Sequence, residues 1–439
     1  MQEVKNMRQL VFSFLLISSS FAYATNGYFS IGYGAKSMSM TGAGVAHPQD
    51  TLSAAQNPAG MQFVKPGFDV GGRFLGTARE ATLDCTGIGL CDTEVSDRSN
   101  QELFLVPNVG YRKQSDGKFI FGISTYGNGG INTNYHRDIY SENAARIVGA
   151  TPGTPGFPAQ QTLGANFSQL IIAPALSYKL NDKHVIGVAP LLGLQQFRMR
   201  GLSSFAPLST DASSLSNRGT AWTYGLGVRI GWIGQISPTL KLGASWSSKI
   251  YMAKFEKYNG LLADNGDFDA PEHFTLGLAW QAKENLTLVL DVQRILFGNV
   301  KALGNLGPTA LELAGTINPD RLLGGGNGIG FGWRHQTILK IAADYRVNDS
   351  WTVRAGYNHG TSQIPDSQML FNLLSPATIN DNIAAGVSYR PNITTEYSLA
   401  LMYAFKKTGT ANNSAFFGTR AQGWIYQGSI DLSYARKFN

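Results

Sequence analysis

From about residue 65 onward, apolar and polar positions alternate along the chain with a period of two, in runs too short and too regular for helices. The clearest run is Thr220 to Ile233, TAWTYGLGVRIGWI. Trp222, Tyr224, Leu226, Val228, Ile230 and Trp232 share one face; Ala221, Thr223, Gly225, Gly227, Arg229 and Gly231 share the other. The same stripe returns in Trp351, Val353, Ala355 and Tyr357, in Ile383 to Tyr389, and in Tyr397 to Phe405. Aromatic residues closing both ends of an aliphatic stripe are what two membrane–water interfaces select, whereas the core of a soluble sandwich has no use for them.

The turns sort into two kinds. Six tight connections rich in Asn, Asp, Ser, Gly or Pro lie at 115–118, 181–183, 237–239, 283–285, 348–350 and 391–392. Between them fall seven long connections, near 81–99, 139–163, 201–217, 259–270, 300–333, 363–377 and 408–420. This sorting predicts an all-β protein: a transmembrane antiparallel β-barrel of about 14 strands, with both termini on the short-turn side.

Ahead of the strands the pattern is different. Residues 1–24 read as a signal peptide: Lys5 and Arg8, an apolar centre from Leu10 to Phe21, and Ala22-Tyr23-Ala24 as a cleavage site. Residues 25–64 are rich in Gly, Ala and Ser and keep no period; their low charge and scattered apolar residues suit a compact plug, or hatch, inside the barrel formed by 65–439.

The face opposite the stripe carries the chemistry. Lys118 to Ile123, Leu170 to Leu176 and Val185 to Leu194 are apolar on both faces, which argues against a water-filled pore and for a lumen filled by the plug or made for an apolar ligand. Later strands turn Arg229, Asp291, Asp344, Arg354 and Asp431 inward, either to pair with the plug or, for Arg229 and Arg354, to meet a ligand carboxylate. Asn128-Gly129-Gly130 interrupts a strand and marks either a kink in the wall or an early turn.

Composition narrows the class further. Only 15% of the 439 residues are charged, against roughly 25% in soluble proteins, and Gly contributes 51. The net charge of +7 is spread without a basic block, so no nucleic-acid partner is indicated. Cys85 and Cys91 are either a small disulfide staple, which export would favour, or two free thiols; with no neighbouring His they do not make a metal site. Gly324 to Gly332 has no following helix and reads as a flexible outer loop rather than a nucleotide loop. The six dispersed His and the absence of HExxH or GxSxG give no support to an enzyme, and nothing calls for a cofactor.

The segment GYGAKSMSMTGAGVAHPQDTLSAAQNPAGM resembles the N-terminal signature of the FadL/TodX/XylN outer-membrane transporters of hydrophobic compounds. FGISTYGNGGINTNY resembles that family's kinked third strand, and Lys340 to Arg390 its late strands. The resemblance implies a monomeric barrel in outer-membrane lipid of a Gram-negative cell, a hatch fixed by Asn57, Pro58 and Ala59, and a lateral gate at Asn128, Gly129 and Gly130. It implies passive movement of a hydrophobic compound from the outer loops into the lumen and sideways into the bilayer. One departure is the end of the chain: such barrels usually finish on an aromatic residue, here followed by Asn439. Long-chain fatty acids are the leading substrate, aromatic hydrocarbons the alternative. Two other readings are kept: a surface adhesin or receptor using the 300–333 loop, and a hydrolase built on His136 and Asp138.

Overall fold

The computed structural model describes residues 26–115, 117–151, 154, 162–315 and 318–438; the signal-peptide reading and Asn439 lie outside the described residues. Fourteen antiparallel strands close into a barrel. They are β1 (Gly67–Asp84), β2 (Leu103–Arg112), β3 (Phe119–Asn132), β4 (Gly164–Lys179), β5 (His184–Arg200), β6 (Ala221–Ser237), β7 (Leu240–Ser247), β8 (His273–Lys283), β9 (Leu286–Ile295), β10 (Gln336–Arg346), β11 (Trp351–Gly360), β12 (Asp381–Asn392), β13 (Thr395–Ala411) and β14 (Arg420–Lys437). Each pairs with its neighbours in sequence, and β14 returns to β1. Two short strands, Val95–Arg98 and Tyr251–Met252, add to β1 and β6 at the long-loop end.

Alternation sorts the side chains across the wall. In β6, Trp222, Tyr224, Leu226 and Ile230 are exposed on the outside while Thr223 and Arg229 are buried inside. Tyr397, Leu401 and Tyr403 of β13, and Ile383 and Tyr389 of β12, are likewise outward and exposed. A contiguous apolar outer band is unstable in water and stable in a bilayer, so the stripe is the lipid face.

The lumen is occupied. Residues 26–64 lie against strands on every side of the ring and are almost wholly buried. Their structure is a five-residue helix, α1 (Ala35–Ser39), and two short 3-10 turns. The doubly apolar strands face it: Ile120 of β3, Ile171 and Ala173 of β4, and Ala189 and Leu191 of β5 pack on Ala54, Ala55 and Met61. Their inner apolar face is therefore core.

At the other end the long loops fold over the barrel. Helix α2 (Ile139–Ile147) and helix α3 (Met369–Asn372) are tied by Tyr140 Oη donating to Leu370 O at 2.7 Å and Tyr135 Oη to Leu373 O at 3.0 Å. The glycine-rich stretch expected to be a flexible loop is packed instead: Phe331 N donates to Ala302 O at 3.1 Å and Trp333 Nε1 to Asn372 Oδ1 at 2.6 Å, with Ile329 and Trp333 buried. Bulky apolar residues between the glycines give it something to bury, which a solvated loop lacks. Cys85 and Cys91 are joined by a disulfide at the β1–β2 loop.

Candidate functional site: the lumen and the interrupted seam

Asn57 stands at the base of the plug, where the chain must turn into the 3-10 helix Pro58–Gln62. Its Oδ1 accepts from Ala59 N at 3.1 Å and caps that helix. Its Nδ2 is directed at Val45 O at 2.9 Å within the plug, and at Trp232 O (3.1 Å) and Ala244 O (3.3 Å) in the wall. One side chain thus joins the turn, the plug and the β6–β7 wall. Gly231 makes room for it, since a Cβ there would run into Asn57 Oδ1. Pro58 supplies a fixed φ at the first helical position and lacks the N–H that position would leave unpaired.

Charged residues hold the plug near the β1–β14 seam. Buried Lys36 reaches Asp69 of β1 at 3.5 Å and Glu396 of β13 at 3.3 Å. Arg73 of β1 pairs with Asp431 of β14 at 2.8 Å and donates to Ser30 Oγ (2.7 Å) and Gly32 O (2.8 Å) of the plug. Asp291 of β9 accepts from Gly44 N at 2.7 Å and Val45 N at 3.0 Å. Burial and the neighbouring Asp69 carboxylate push the Asp50 carboxyl of the plug up to about 6.

The two arginines weighed as ligand contacts sit apart and hold internal partners. Arg354 pairs with Asp344 at 2.8 Å and donates to Gln49 Oε1 of the plug and Ser388 Oγ. Arg229 donates to Ala54 O (3.1 Å) and Ala55 O of the plug and to Tyr126 Oη of β3 (3.0 Å). The first is neutralised by a carboxylate; the second meets neutral oxygens and, at 3.4 Å, the His273 Nε2. His136 and Asp138 are not a reacting pair: His136 faces Asp97, while Asp138 caps α2 and accepts from Tyr140, Ser141 and Leu202 N–H groups.

The wall is incomplete at one place. β2 and β3 pair only from Arg112 opposite Gly122 to Asn108 opposite Tyr126. Beyond that pair β3 shifts register against β4 between Gly127 and Gly129, leaving Asn128 as a bulge, and continues to Asn132. It does not turn into the loop. β2 above the break begins with Pro107, which has no N–H to offer a neighbour. At the long-loop end the two sides rejoin, Asn100 N donating to Asn134 O at 3.0 Å.

The start of the plug fills this window. Ser30 N donates to Asn128 O at 2.8 Å and Gly130 N to Tyr28 O at 3.0 Å, so Phe29 bridges Gly129 on the edge β2 leaves open. Glycine is required at 129 because a Cβ would strike the Tyr28 carbonyl. The Asn128 side chain is also held, accepting from Tyr33 Oη at 2.8 Å and donating to Gln169 Oε1 at 2.6 Å. Inside the window lies an aromatic cluster that sequence reading did not single out. Tyr28 contacts Phe167, Phe268, Phe297 and Trp333 at ring-centroid distances of 5.3, 6.3, 5.7 and 6.4 Å. These rings come from four separate parts of the chain, so no local pattern joins them.

The arrangement is a packed aromatic cluster under the loops, beside an interruption of the wall that a short backbone bridge closes. Comparison with known proteins gives the following. The family model described as outer membrane protein transport protein (OMPP1/FadL/TodX) matches residues 15–432. The toluene transporter TodX of P. putida is similar in structure, with a TM-score of 0.66 at 18% identity over 93% of this chain and 99% of that one. A Pseudomonas aeruginosa FadL homologue gives 0.65 at 15% identity over 94% and 100%. A Chlorobium limicola protein encoded 5′ of the phosphoenolpyruvate carboxykinase gene is 40% identical over 75 residues, which is 17% of this chain and 37% of that protein.

Proposed function

The chain belongs to the FadL/TodX family of outer-membrane transport proteins, and from that premise we propose that it carries long-chain fatty acids passively across the outer membrane. The observation that carries this reading is the interrupted β2–β3 seam, with Tyr28 and Phe29 seated in it against a packed aromatic cluster. An apolar cargo captured among the outer loops takes the place of ring contacts in that cluster, displaces the Tyr28–Phe29 bridge and leaves through the window into lipid. Leaving sideways keeps the alkyl chain out of the aqueous compartment, so the path needs no energy source beyond the gradient. The backbone part of the bridge is two hydrogen bonds, each worth about 1 kcal/mol net, and the apolar cargo replaces the contacts that the buried Tyr28 and Phe29 rings give up as it opens.

In this scheme Asn57, Pro58 and Ala59 keep the base of the hatch docked while its first residues move. Asn128, Gly129 and Gly130 are the movable edge. Arg229, whose charge meets neutral oxygens and the His273 ring nitrogen but no carboxylate among the described residues, is the hatch contact that a carboxylate competes for; Arg354 stays in its ion pair with Asp344. A single barrel contains every part of the path, so the working unit is a monomer.

A second reading, uptake of aromatic hydrocarbons, is favoured by the aromatic cluster beside the window and by the likeness to TodX, a toluene transporter. Uptake of labelled oleate and labelled toluene by cells lacking other such channels separates the two. Oleate entry that depends on this protein supports the fatty-acid reading; toluene entry without oleate entry replaces it with the second. Entry of neither overturns both.

A further inference from the structure

Beside the β1–β14 seam the apolar outer band is hollowed into a groove of about 590 Å³, lined almost wholly by apolar atoms. The register gives its shape. Tyr389 of β12, Tyr397 of β13, Tyr434 of β14 and Val70 of β1 stand side by side in one outward row. The next row towards the long loops runs Val387, Leu399, Leu432, Gly72 and Pro107. Gly72 has no side chain and Pro107 only a short ring, so this row sinks between Tyr434 and Val70 on one side and Phe74 and Leu105 on the other.

A charge stands at one mouth of the groove. The outward residue of β14 after Tyr434, about 7 Å along the strand, is Arg436, opposite Phe68 and Thr395 on the short-turn side. Rings gather at this level, Phe68 6.1 Å and Tyr397 5.5 Å from Tyr434, as they do at a membrane–water interface. Arg436 is exposed; its Nη1 donates to the Thr394 and Thr395 hydroxyls at 3.0 Å each, and it meets no carboxylate among the described residues. Two neighbouring cations are already neutralised, Arg390 by Glu396 at 3.2 Å and Lys437 by Asp69 at 3.1 Å.

These features select an occupant. A hydrocarbon chain lying in a hollow touches protein on its floor and both walls, and dispersion sums over those contacts. A planar guanidinium holds two oxygens of a phosphodiester at once. From Phe68 to Phe74 the strand advances roughly 20 Å, or about 15 Å in depth at the usual barrel tilt, which is the hydrocarbon depth of one leaflet. A second barrel fits worse: two copies related by a two-fold axis would meet hollow to hollow, leaving a void, with their Arg436 side chains facing at the same depth.

We propose that this groove binds a glycerophospholipid of the periplasmic leaflet, with an acyl chain over Gly72 and the phosphate on Arg436. Its Leu105 and Pro107 wall is the outer side of the β2 edge that β3 leaves unpaired, so the bound chain borders the window. The site stands whichever cargo the protein carries.

The test is native mass spectrometry of the barrel purified from outer membranes, with folding checked by heat-modifiable migration. Wild type, Arg436→Gln and Gly72→Leu are titrated with dioleoylphosphatidylglycerol and with dioleoylglycerol, which has the same chains and no phosphate. Wild type should bind one phosphatidylglycerol in preference to the diacylglycerol. Arg436→Gln should weaken the phospholipid about tenfold, the loss of a charge-assisted contact, and leave the diacylglycerol within about twofold. Gly72→Leu fills the hollow and should weaken both lipids about threefold, the loss of a handful of atom contacts. A Cβ at 72 comes within 3.3 Å of the tip of the Leu105 side chain, which can give, so this variant carries the test if Arg436→Gln fails to fold. Phospholipid binding that is unchanged in the folded variants, or no tighter than that of the diacylglycerol in wild type, overturns the site. A dimer that Gly72→Leu dissociates overturns it in favour of a second copy.

Discussion

Two seams of one barrel are built in opposite ways. Between β1 and β14 the ladder is unbroken from Gly67 opposite Lys437 to Asp84 opposite Arg420, although it joins the two ends of the barrel sequence. Between β2 and β3, neighbours along the chain, it stops at Asn108 and Tyr126. The plug meets each seam with matching chemistry. At the continuous seam it is held by buried charges, Lys36 to Asp69 and Glu396, and Arg73 to Ser30 and Gly32. At the broken seam it offers two backbone hydrogen bonds around Phe29. Breaking a buried ion pair strands a charge and costs several kcal/mol, whereas a backbone bridge opens for about 1 kcal/mol per bond. The plug is thus held through ion pairs at one side and, among the described residues, through backbone hydrogen bonds and ring packing with no ion pair at the other, the difference on which the proposed exit rests.

The largest test of that contrast is Lys36→Met. It leaves Asp69 to Lys437 and Thr51 and Glu396 to Arg390, removes the link from both to the plug helix, and should loosen the docked plug by about 1.5–3 kcal/mol. Hydrogen exchange of residues 30–45 is the readout, and protection equal to wild type would show that charge is not what fastens this side.

Deleting Asn128 comes next. Removing the bulged residue lets β3 run without the shift between Gly127 and Gly129, and takes away the carbonyl that holds Ser30. Substrate uptake should fall about tenfold, or roughly 1.4 kcal/mol, with the barrel still formed. Full uptake by a folded deletion would place the exit somewhere other than this seam.

The smallest effect concerns pH. Burial and Asp69 raise the Asp50 carboxyl to about 6, so the docked plug favours its protonated form. A raised folded-state value for an acid means stability present below the ordinary carboxylate range and lost as pH rises through about 6. Exchange around residues 48–56, corrected for its intrinsic pH dependence, should increase between about pH 4 and 6.5, and Asp50→Asn should flatten the profile. A profile that stays steep in Asp50→Asn would assign the change to another group.

Much of this was legible before the fold. A period of two, with rings at the stripe ends in Trp222 and Trp232, depends only on alternation across a wall, and the turn chemistry at Asn181-Asp182 or Asn348-Asp349 is local. The sequence also marked Asn128-Gly129-Gly130 as irregular. It left kink and turn undecided, because glycine permits both; the pairing of Gly129 with Gln169 and of Ile131 with Phe167 decided for a strand. Arg229 and Arg354 were readable as inward, but their partners Ala54, Gln49 and Ser388 lie in distant segments.

What the sequence determined by itself, then, was everything carried by short-range regularity: strands, turns, the lipid face, and the small-residue segment ahead of them. Only the tertiary structure decided which seam is interrupted and which backbone occupies it. Those depend on residues brought together from β2, β3 and the plug, where contact is set by ring closure rather than by any spacing along the chain.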